Sequence, residues 1–315
     1  MRKLISIVTP VWNEEDNISH CHAAVKELFA TRLSAYDYEH IFCDNCSLDG
    51  TVSKIKELAS TDSHVKLICN ARNFGPFNSS FNGLMATSGD AVCPLFAVDL
   101  QDPVSVIGDM VQKWEEGWEV VYGVRKTRQE GWVLRSVRHL YYRVVNRWSD
   151  FPIPPDVGEF QLIDRKVVDA LRKFDDYYPY LRGMIASCGF RATGIEYTWV
   201  ARARGMSKNR LYHLIDQAMN GIVSSTKVPL RLTMFGGFFL AILSILYALG
   251  SLIVNLIFYR ELAQPGIATL IVALFFFSGV QLFIIGLLGE YVGAIHFQVR
   301  KRPLVVERER VGFQP

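Results

Sequence analysis

The chain is short of the features that mark several functional classes. Its net charge is only +3, from 34 basic and 31 acidic residues, and so small an excess argues against a nucleic-acid binder. Cysteine is sparse and scattered: six in 315 residues. No second Cys-x-x-Cys accompanies Cys43-Asp-Asn-Cys46, which argues against a zinc site, and although His20, Cys21 and His22 could join it, they and the pair read better as surface helix and strand-end residues. Unpaired cysteines suit a reducing compartment. There is no charged leader ahead of an apolar stretch; the chain enters a strand-like run at Leu4, so no signal peptide is expected.

The most informative lack is that of charge in the last third. From Leu232 to Tyr259 there is no charged residue, and from Leu262 to Gly289 again none. Each run exceeds the roughly 20 residues that cross a bilayer. Only Arg260 and Glu261 part them, which predicts a tight transmembrane hairpin over 227–298, with spans at about 232–259 and 262–289. Lys227 and Arg231 precede the runs, and Arg300, Lys301 and Arg302 follow them. The excess of positive charge on both flanks predicts that the 1–226 domain and a basic tail over 299–315 are cytoplasmic. The expected location is thus the inner (plasma) membrane, multi-pass, with the lipid bilayer as one partner.

Before the hairpin the pattern is α/β. Leu4-Ile-Ser-Ile-Val8, His40-Ile-Phe-Cys43, Val65-Lys-Leu-Ile68 and Glu119-Val-Val-Tyr-Gly123 read as buried strands, with helical patterns over about 16–29, 79–87 and 104–116. The apolar run that starts at Ala91 reads as another strand and ends abruptly in Asp99-Leu-Gln-Asp-Pro103. Ligands of parallel α/β sheets bind beyond the carboxyl ends of the strands. Asp99, Gln101 and Asp102 therefore stand where hard oxygens can hold a divalent cation against a phosphate. The same residues also suit a capped strand-to-helix turn. Asn13, Glu14 and Glu15 after the first strand are either a solvated helix start or ligand-edge groups. Asp44 to Thr51 is either a turn or a nucleotide loop. Arg72 suits a phosphate contact or a strand-edge cap, and Arg202-Ala-Arg-Gly-Met-Ser-Lys208 a phosphate or an ordinary surface loop. The arginine- and aromatic-rich stretch Arg125–Arg147 reads as a headgroup-facing helix or a solvated one.

Taken in order, these stretches resemble family 2 glycosyltransferases of GT-A fold, in particular the polyprenyl-phosphate type that includes bactoprenol glucosyltransferases and dolichol-phosphate mannose synthase. Val8-Thr-Pro-Val-Trp-Asn-Glu-Glu15 resembles the opening strand motif, Asp44 to Thr51 the nucleotide motif, and Arg72-Asn-Phe-Gly75 its Arg-Asn-Phe-Gly loop. Asp99-Leu-Gln-Asp-Pro103 matches the end of the metal motif, and Gly158-Glu-Phe-Gln-Leu-Ile-Asp-Arg165 the Gly-Asp-Phe-Arg element. Arg202 to Lys208 resembles the Arg-x-x-Gly-x-Ser-Lys segment, and Gly286-Leu-Leu-Gly-Glu-Tyr-Val-Gly293 the end of the second span.

The resemblance implies a GT-A (Rossmann-like) domain followed by a two-helix transmembrane hairpin. The activity it implies is inverting transfer of a sugar from a nucleotide sugar to a polyprenyl phosphate, with Mg²⁺ or Mn²⁺. Carried over position by position, it assigns the nucleotide sugar to Pro10, Asn13, Glu14, Asp44, Asn45, Ser47, Arg72 and Asp99, and the metal to Asp99 and Gln101. Glu159 with Asp99 is assigned to catalysis, and Arg202, Ser207 and Lys208 to the acceptor phosphate or the diphosphate. Four positions depart from the pattern: Ala97 replaces the first carboxylate of Asp-x-Asp, Asn45 an Asp, Glu159 an Asp and Gln161 an Arg. The departures admit two other readings, a catalytically weak homologue acting as a membrane scaffold, or a transferase for a non-phosphate lipid. The sequence names neither sugar nor base, and it leaves homo-oligomer formation open.

Overall fold

A computed structural model describes residues 2–126, 157–174, 179–200, 228–258, 267–300 and 302–313. The chain divides into two compact units, Met1–Leu214 with Lys301–Pro315, and Ile215–Arg300.

The first unit is built on an eight-stranded sheet. β1 (Leu4–Val11), β2 (Asp37–Asp44), β3 (Val65–Asn70) and β4 (Ala91–Cys93) alternate with helices α1 (Glu15–Thr31), α2 (Thr51–Thr61) and α3 (Pro76–Met85). Then come α4 (Ser105–Glu115), β5 (Val120–Arg125), β6 (Val157–Asp164), α5 (Arg165–Leu171), α6 (Leu181–Ser187) and β7 (Ala192–Tyr197). β8 (Glu307–Val311) is contributed by the C-terminal segment. The spatial order is β7-β5-β6-β4-β1-β2-β3-β8. β4, β1, β2 and β3 are parallel, as are β5 and β7, whereas β6 runs antiparallel to both β4 and β5, and β8 antiparallel to β3.

The strands are apolar runs because helices cover both faces. On one face α1 turns Ile18, Cys21, Val25, Leu28 and Phe29 inward, at the spacing of a helical stripe, to pack with Ile55 of α2 and Ile107 of α4. On the other, Phe81 and Leu84 of α3 meet Val167 and Leu171 of α5 and Leu181 and Met184 of α6.

The strand expected from Ala91 onward is cut to three residues. Pro94 has no N–H for the ladder, so regular pairing stops there. The chain stays beside β1 through one bond, Phe96 N–H to the Val8 carbonyl at 2.8 Å, and then turns. The segment expected as a basic tail behaves differently: its Glu307–Val311 stretch closes the edge of the sheet beside β3, with Lys56 paired to Glu309 at 2.6 Å.

The second unit contributes α7 (Val228–Phe258) and α8 (Ile267–Val299), of 31 and 33 residues, which contact each other. At about 1.5 Å per residue both are longer than the roughly 30 Å hydrocarbon core of a bilayer. Among the described residues one stretch, Phe276–His296 of α8, is long and apolar enough to cross a membrane, so the expected two-span hairpin is matched in one span. The first expected span coincides with most of α7, and residues 259–266 lie outside the described residues.

Candidate active site

Strand directions decide where polar side chains gather. The carboxyl ends of β1, β2, β3, β4, β5 and β7 lie on one edge of the sheet, and the antiparallel β6 brings its beginning there. The non-glycine residues with left-handed backbone among the described residues are Asn13, Cys46 and Leu100, with φ of 51°, 62° and 56°. All three sit in the loops after β1, β2 and β4, and backbone strain of this kind persists where the surroundings over-determine it.

The β1 and β2 loops are joined by reciprocal bonds. Asn13 N–H donates to Ser47 Oγ at 2.9 Å, and Leu48 N–H donates to Asn13 Oδ1 at 2.8 Å. Glu14 N–H donates to Thr51 Oγ1 at 3.0 Å, and Gly50 N–H to Glu15 Oε2 at 2.9 Å. Asp44, buried at the end of β2, accepts Ser47 N–H through both oxygens at 3.3 and 3.1 Å. Asn45 links this loop to the next one: its Oδ1 accepts from Asn70 Nδ2 at 3.0 Å and from Phe74 N–H at 3.4 Å. Its Nδ2 donates to the Gly75 carbonyl at 3.4 Å. Gly75 caps α3 at φ 85°, a backbone that favours glycine. Pro10 is half-buried at the end of β1, and Arg72 is exposed, its guanidinium 3.9 Å from the Phe74 ring. Pro10, Asn13, Glu14, Asp44, Asn45 and Ser47 are therefore brought together, with Arg72 on the adjoining loop.

Across the edge, Asp99 lies in the turn after β4, closed by Leu100 N–H to the Ala97 carbonyl at 3.3 Å. Asp99 Oδ1 accepts Gln101 N–H at 3.3 Å. Asp102 is not a free oxygen ligand. Its Oδ1 accepts from the Tyr197 hydroxyl at 2.5 Å and from Arg125 Nη2 at 3.2 Å, and Arg125 Nε donates to the Tyr197 oxygen at 3.1 Å. Residue patterns alone gave no sign of Arg125 or Tyr197 here, because they come from the ends of β5 and β7, which pair only in the folded sheet.

Glu159 stands near the start of β6. Burial raises its pKa above the ordinary carboxylate value, against the opposing pull of Arg182 and Arg125. Glu159 Oε2 and Gln161 Nε2, two residues apart on one strand face, are buried without hydrogen-bond partners among the described residues. Arg202, Ser207 and Lys208 lie outside the described residues, as does most of Arg125–Arg147.

The donor set fits one kind of metal. Among the described residues no group of three or more His, Cys, Asp and Glu side chains is disposed to hold an ion, which does not fit zinc. One carboxylate and one amide oxygen, Asp99 and Gln101, do fit Mg²⁺ or Mn²⁺, because a hard cation of this size takes one or two protein oxygens and completes its shell with water and phosphate.

Comparison with known proteins bears on the family and the fold. Residues 6–172 match the family model described as Glycosyl transferase family 2. An uncharacterized glycosyltransferase of Synechocystis sp. is 34% identical over 98% of this chain and 96% of its own length. An SfII prophage-derived bactoprenol glucosyl transferase of Shigella flexneri is 36% identical over 95% of this chain and 96% of its own. Among solved structures, glucosyl-3-phosphoglycerate synthase from Mycobacterium tuberculosis, in complex with Mn²⁺, uridine diphosphate and glucosyl-3-phosphoglycerate, superposes with a TM-score of 0.50. It covers 70% of this chain and 78% of that one at 19% identity, a likeness of fold.

Proposed function

Since the chain belongs to glycosyl transferase family 2, we propose that it transfers a sugar from a nucleotide sugar to a polyprenyl phosphate, with inversion, at the cytoplasmic face of a membrane. The observation that carries the donor half is the hydrogen-bonded joining of the β1, β2 and β3 loops around Asp44 and Asn45, beside the Asp99 turn. The acceptor half is supported by the bactoprenol glucosyl transferases that match over nearly the whole chain.

The chemistry asks little of a general base. A phosphate monoester has a second pKa near 6, so at neutral pH much of the acceptor is already an anionic nucleophile. What remains is alignment and stabilisation of the leaving diphosphate. Asp99 and Gln101 would hold the divalent cation, which when bound supplies charge neutralisation at the diphosphate. Asp44, Asn45 and Ser47, with Pro10, Asn13 and Glu14, shape the nucleotide side, and Arg72 stands ready for phosphate. Glu159, at the start of β6, orients the nucleophile or the sugar. Arg202, Ser207 and Lys208 take the acceptor phosphate or the diphosphate.

The order of the chain supports two crossings of the membrane. β8 comes after α8, yet it pairs with β3, which comes before α7. Both ends of the helical stretch therefore lie on one side, and a chain that leaves and returns crosses an even number of times. With one stretch of α8 long and apolar enough to cross, this reading gives the other crossing to α7. The basic residues flanking the pair support a cytoplasmic position for that side.

The test is incubation of membranes carrying the protein with labelled nucleotide sugars, with and without added polyprenyl phosphate. Label should enter the lipid fraction only with the phosphate acceptor. Transfer to lipid that is independent of added polyprenyl phosphate, in depleted membranes, would overturn the acceptor assignment.

A further inference from the structure

We infer that Tyr197 is a positioning residue for the metal-bearing turn: its hydroxyl locks Asp102 to Arg125 and so holds Asp99 and Gln101 in the arrangement that receives the cation. The inference rests on the reading of Asp99 and Gln101 as metal ligands.

The turn is tied down at two points, and both anchors come from β7 and the residues just after it. Val200 N–H donates to the Gln101 carbonyl at 3.0 Å. One residue on, Asp102 Oδ1 receives the Tyr197 hydroxyl at 2.5 Å and Arg125 Nη2 at 3.2 Å, while the Tyr197 oxygen accepts Arg125 Nε at 3.1 Å. Each of the three groups thus bonds the other two. The Tyr197 ring is itself fixed, edge-on to Phe160 at 5.7 Å, and Phe160 packs on Phe96 of the same β4 loop at 5.8 Å. Room for the ring is made by Gly123, where a Cβ would fall 2.6 Å from a ring carbon. Between the ligands, Leu100 is held at φ 56°, a conformation that a leucine keeps only under external constraint. With Ala97 in place of a second carboxylate, geometry at Asp99 rests on these tethers rather than on ligand number.

The experiment is Tyr197→Phe in the full chain, which keeps the ring and removes the hydroxyl. Mn²⁺ binding is read by paramagnetic titration with saturating nucleoside diphosphate, beside Asp99→Asn. Loss of a group that orients a ligand weakens metal binding by about 10- to 100-fold. We expect the apparent Mn²⁺ affinity of Tyr197→Phe to fall at least about ten-fold. Its transfer activity should recover at saturating Mn²⁺ while its unfolding midpoint without metal stays at the parent value, a combination that general destabilisation would not give. Unchanged Mn²⁺ affinity in Tyr197→Phe, with affinity lost in Asp99→Asn, would overturn the positioning role alone. Unchanged affinity in Asp99→Asn would overturn the metal reading and this inference with it. Should Tyr197→Phe fail to fold, Asp102→Asn, which weakens the same lock at the other end, decides by the same titration.

Discussion

Replacing Glu39 by glutamine probes what holds the parallel strands in register beneath the site. Glu39 is on β2, 2% exposed, and its carboxylate is shared by three neighbours. It accepts from Ser6 Oγ of β1 at 2.5 Å, from Lys66 Nζ of β3 at 2.5 Å, and from Ser88 N–H, just before β4, at 2.7 Å. Burial alone would raise its pKa; the bonds from Lys66, Ser6 and Ser88 outweigh burial and hold it below the ordinary 4.5. In Glu39→Gln the amide oxygen can still accept one or two of these donors, but Lys66 loses its counter-charge. Removing one partner of a buried ion pair costs about 3–5 kcal/mol. The Lys66 side chain is 20% exposed and can reach water, which places the expected cost near the lower end, about 3 kcal/mol. For a unit of this size that lowers the unfolding midpoint by about 6–12 °C. The assay is thermal unfolding of the detergent-solubilised chain, followed by tryptophan fluorescence. The pH dependence has a definite sign. A carboxyl with a lowered folded pKa contributes its stability above the unfolded value and loses it as pH falls through the folded one. The gap between native protein and variant should therefore be full at neutral pH and narrow on acidification below about 4.5. A shift of less than about 2 °C at neutral pH would refute the reasoning, as would a gap that widens in acid.

Asp99→Asn should lower transfer by about two orders of magnitude, the loss typical when one charge-stabilising group is removed, while the chain stays folded and membrane-inserted; near-normal turnover of the folded variant would contradict the ligand assignment. Ala97→Asp adds a carboxylate to a turn whose backbone bond, Leu100 N–H to the Ala97 carbonyl, does not involve the side chain. It should tighten Mn²⁺ binding without nucleotide by about ten-fold, ~1.4 kcal/mol, and tight binding by the unaltered chain alone would refute this. Tags at the two termini should both be shielded in intact cells and both become accessible on permeabilisation; labelling of either from outside would contradict the two-span reading.

The parts of the fold that were legible in the sequence are those whose signal is local. β1, β2, β3 and β5 are apolar runs, and α1 and α4 are periodic, so each shows itself within its own window. β4 was over-extended because the apolar run continues through Pro94, and composition outweighed the missing N–H. β7 alternates half-exposed and exposed residues until its buried Tyr197, and β8 reads Glu-Arg-Glu-Arg-Val, which resembles a charged tail. β8 is a strand because partners more than 200 residues away, Asn82 for Glu307 and Lys56 for Glu309, meet its acids at 2.6 Å. The site divides in the same way. Asp44, Ser47, Asn13 and Asp99 stand out as polar residues just past apolar runs. Asp102 has the same local signature, but its partners lie 23 and 95 positions on, so its loss to Arg125 and Tyr197 is visible only in the folded sheet.

Two departures from the family pattern acquire a common physical sense at this edge. At Asn45 the amide both accepts, from Asn70 and Phe74, and donates, to the Gly75 carbonyl. A carboxylate there could keep the first two bonds, but it would turn an acceptor toward the Gly75 carbonyl and add a second buried charge next to Asp44. At Ala97 the turn closes through the backbone, so its shape does not depend on a side chain. Each change removes one negative charge from the edge to which a diphosphate must come, while the charge of Asp102 is met by Arg125. The edge is thereby less repulsive to an anionic donor and less able to hold a cation unaided. Both effects push the same way: cation and nucleotide sugar should bind as a pair, with the diphosphate supplying the oxygens that the protein omits. The stiffness of the Asp99 turn then matters more than the number of its carboxylates, and that stiffness is built from the bonds to Val200, Tyr197 and Arg125.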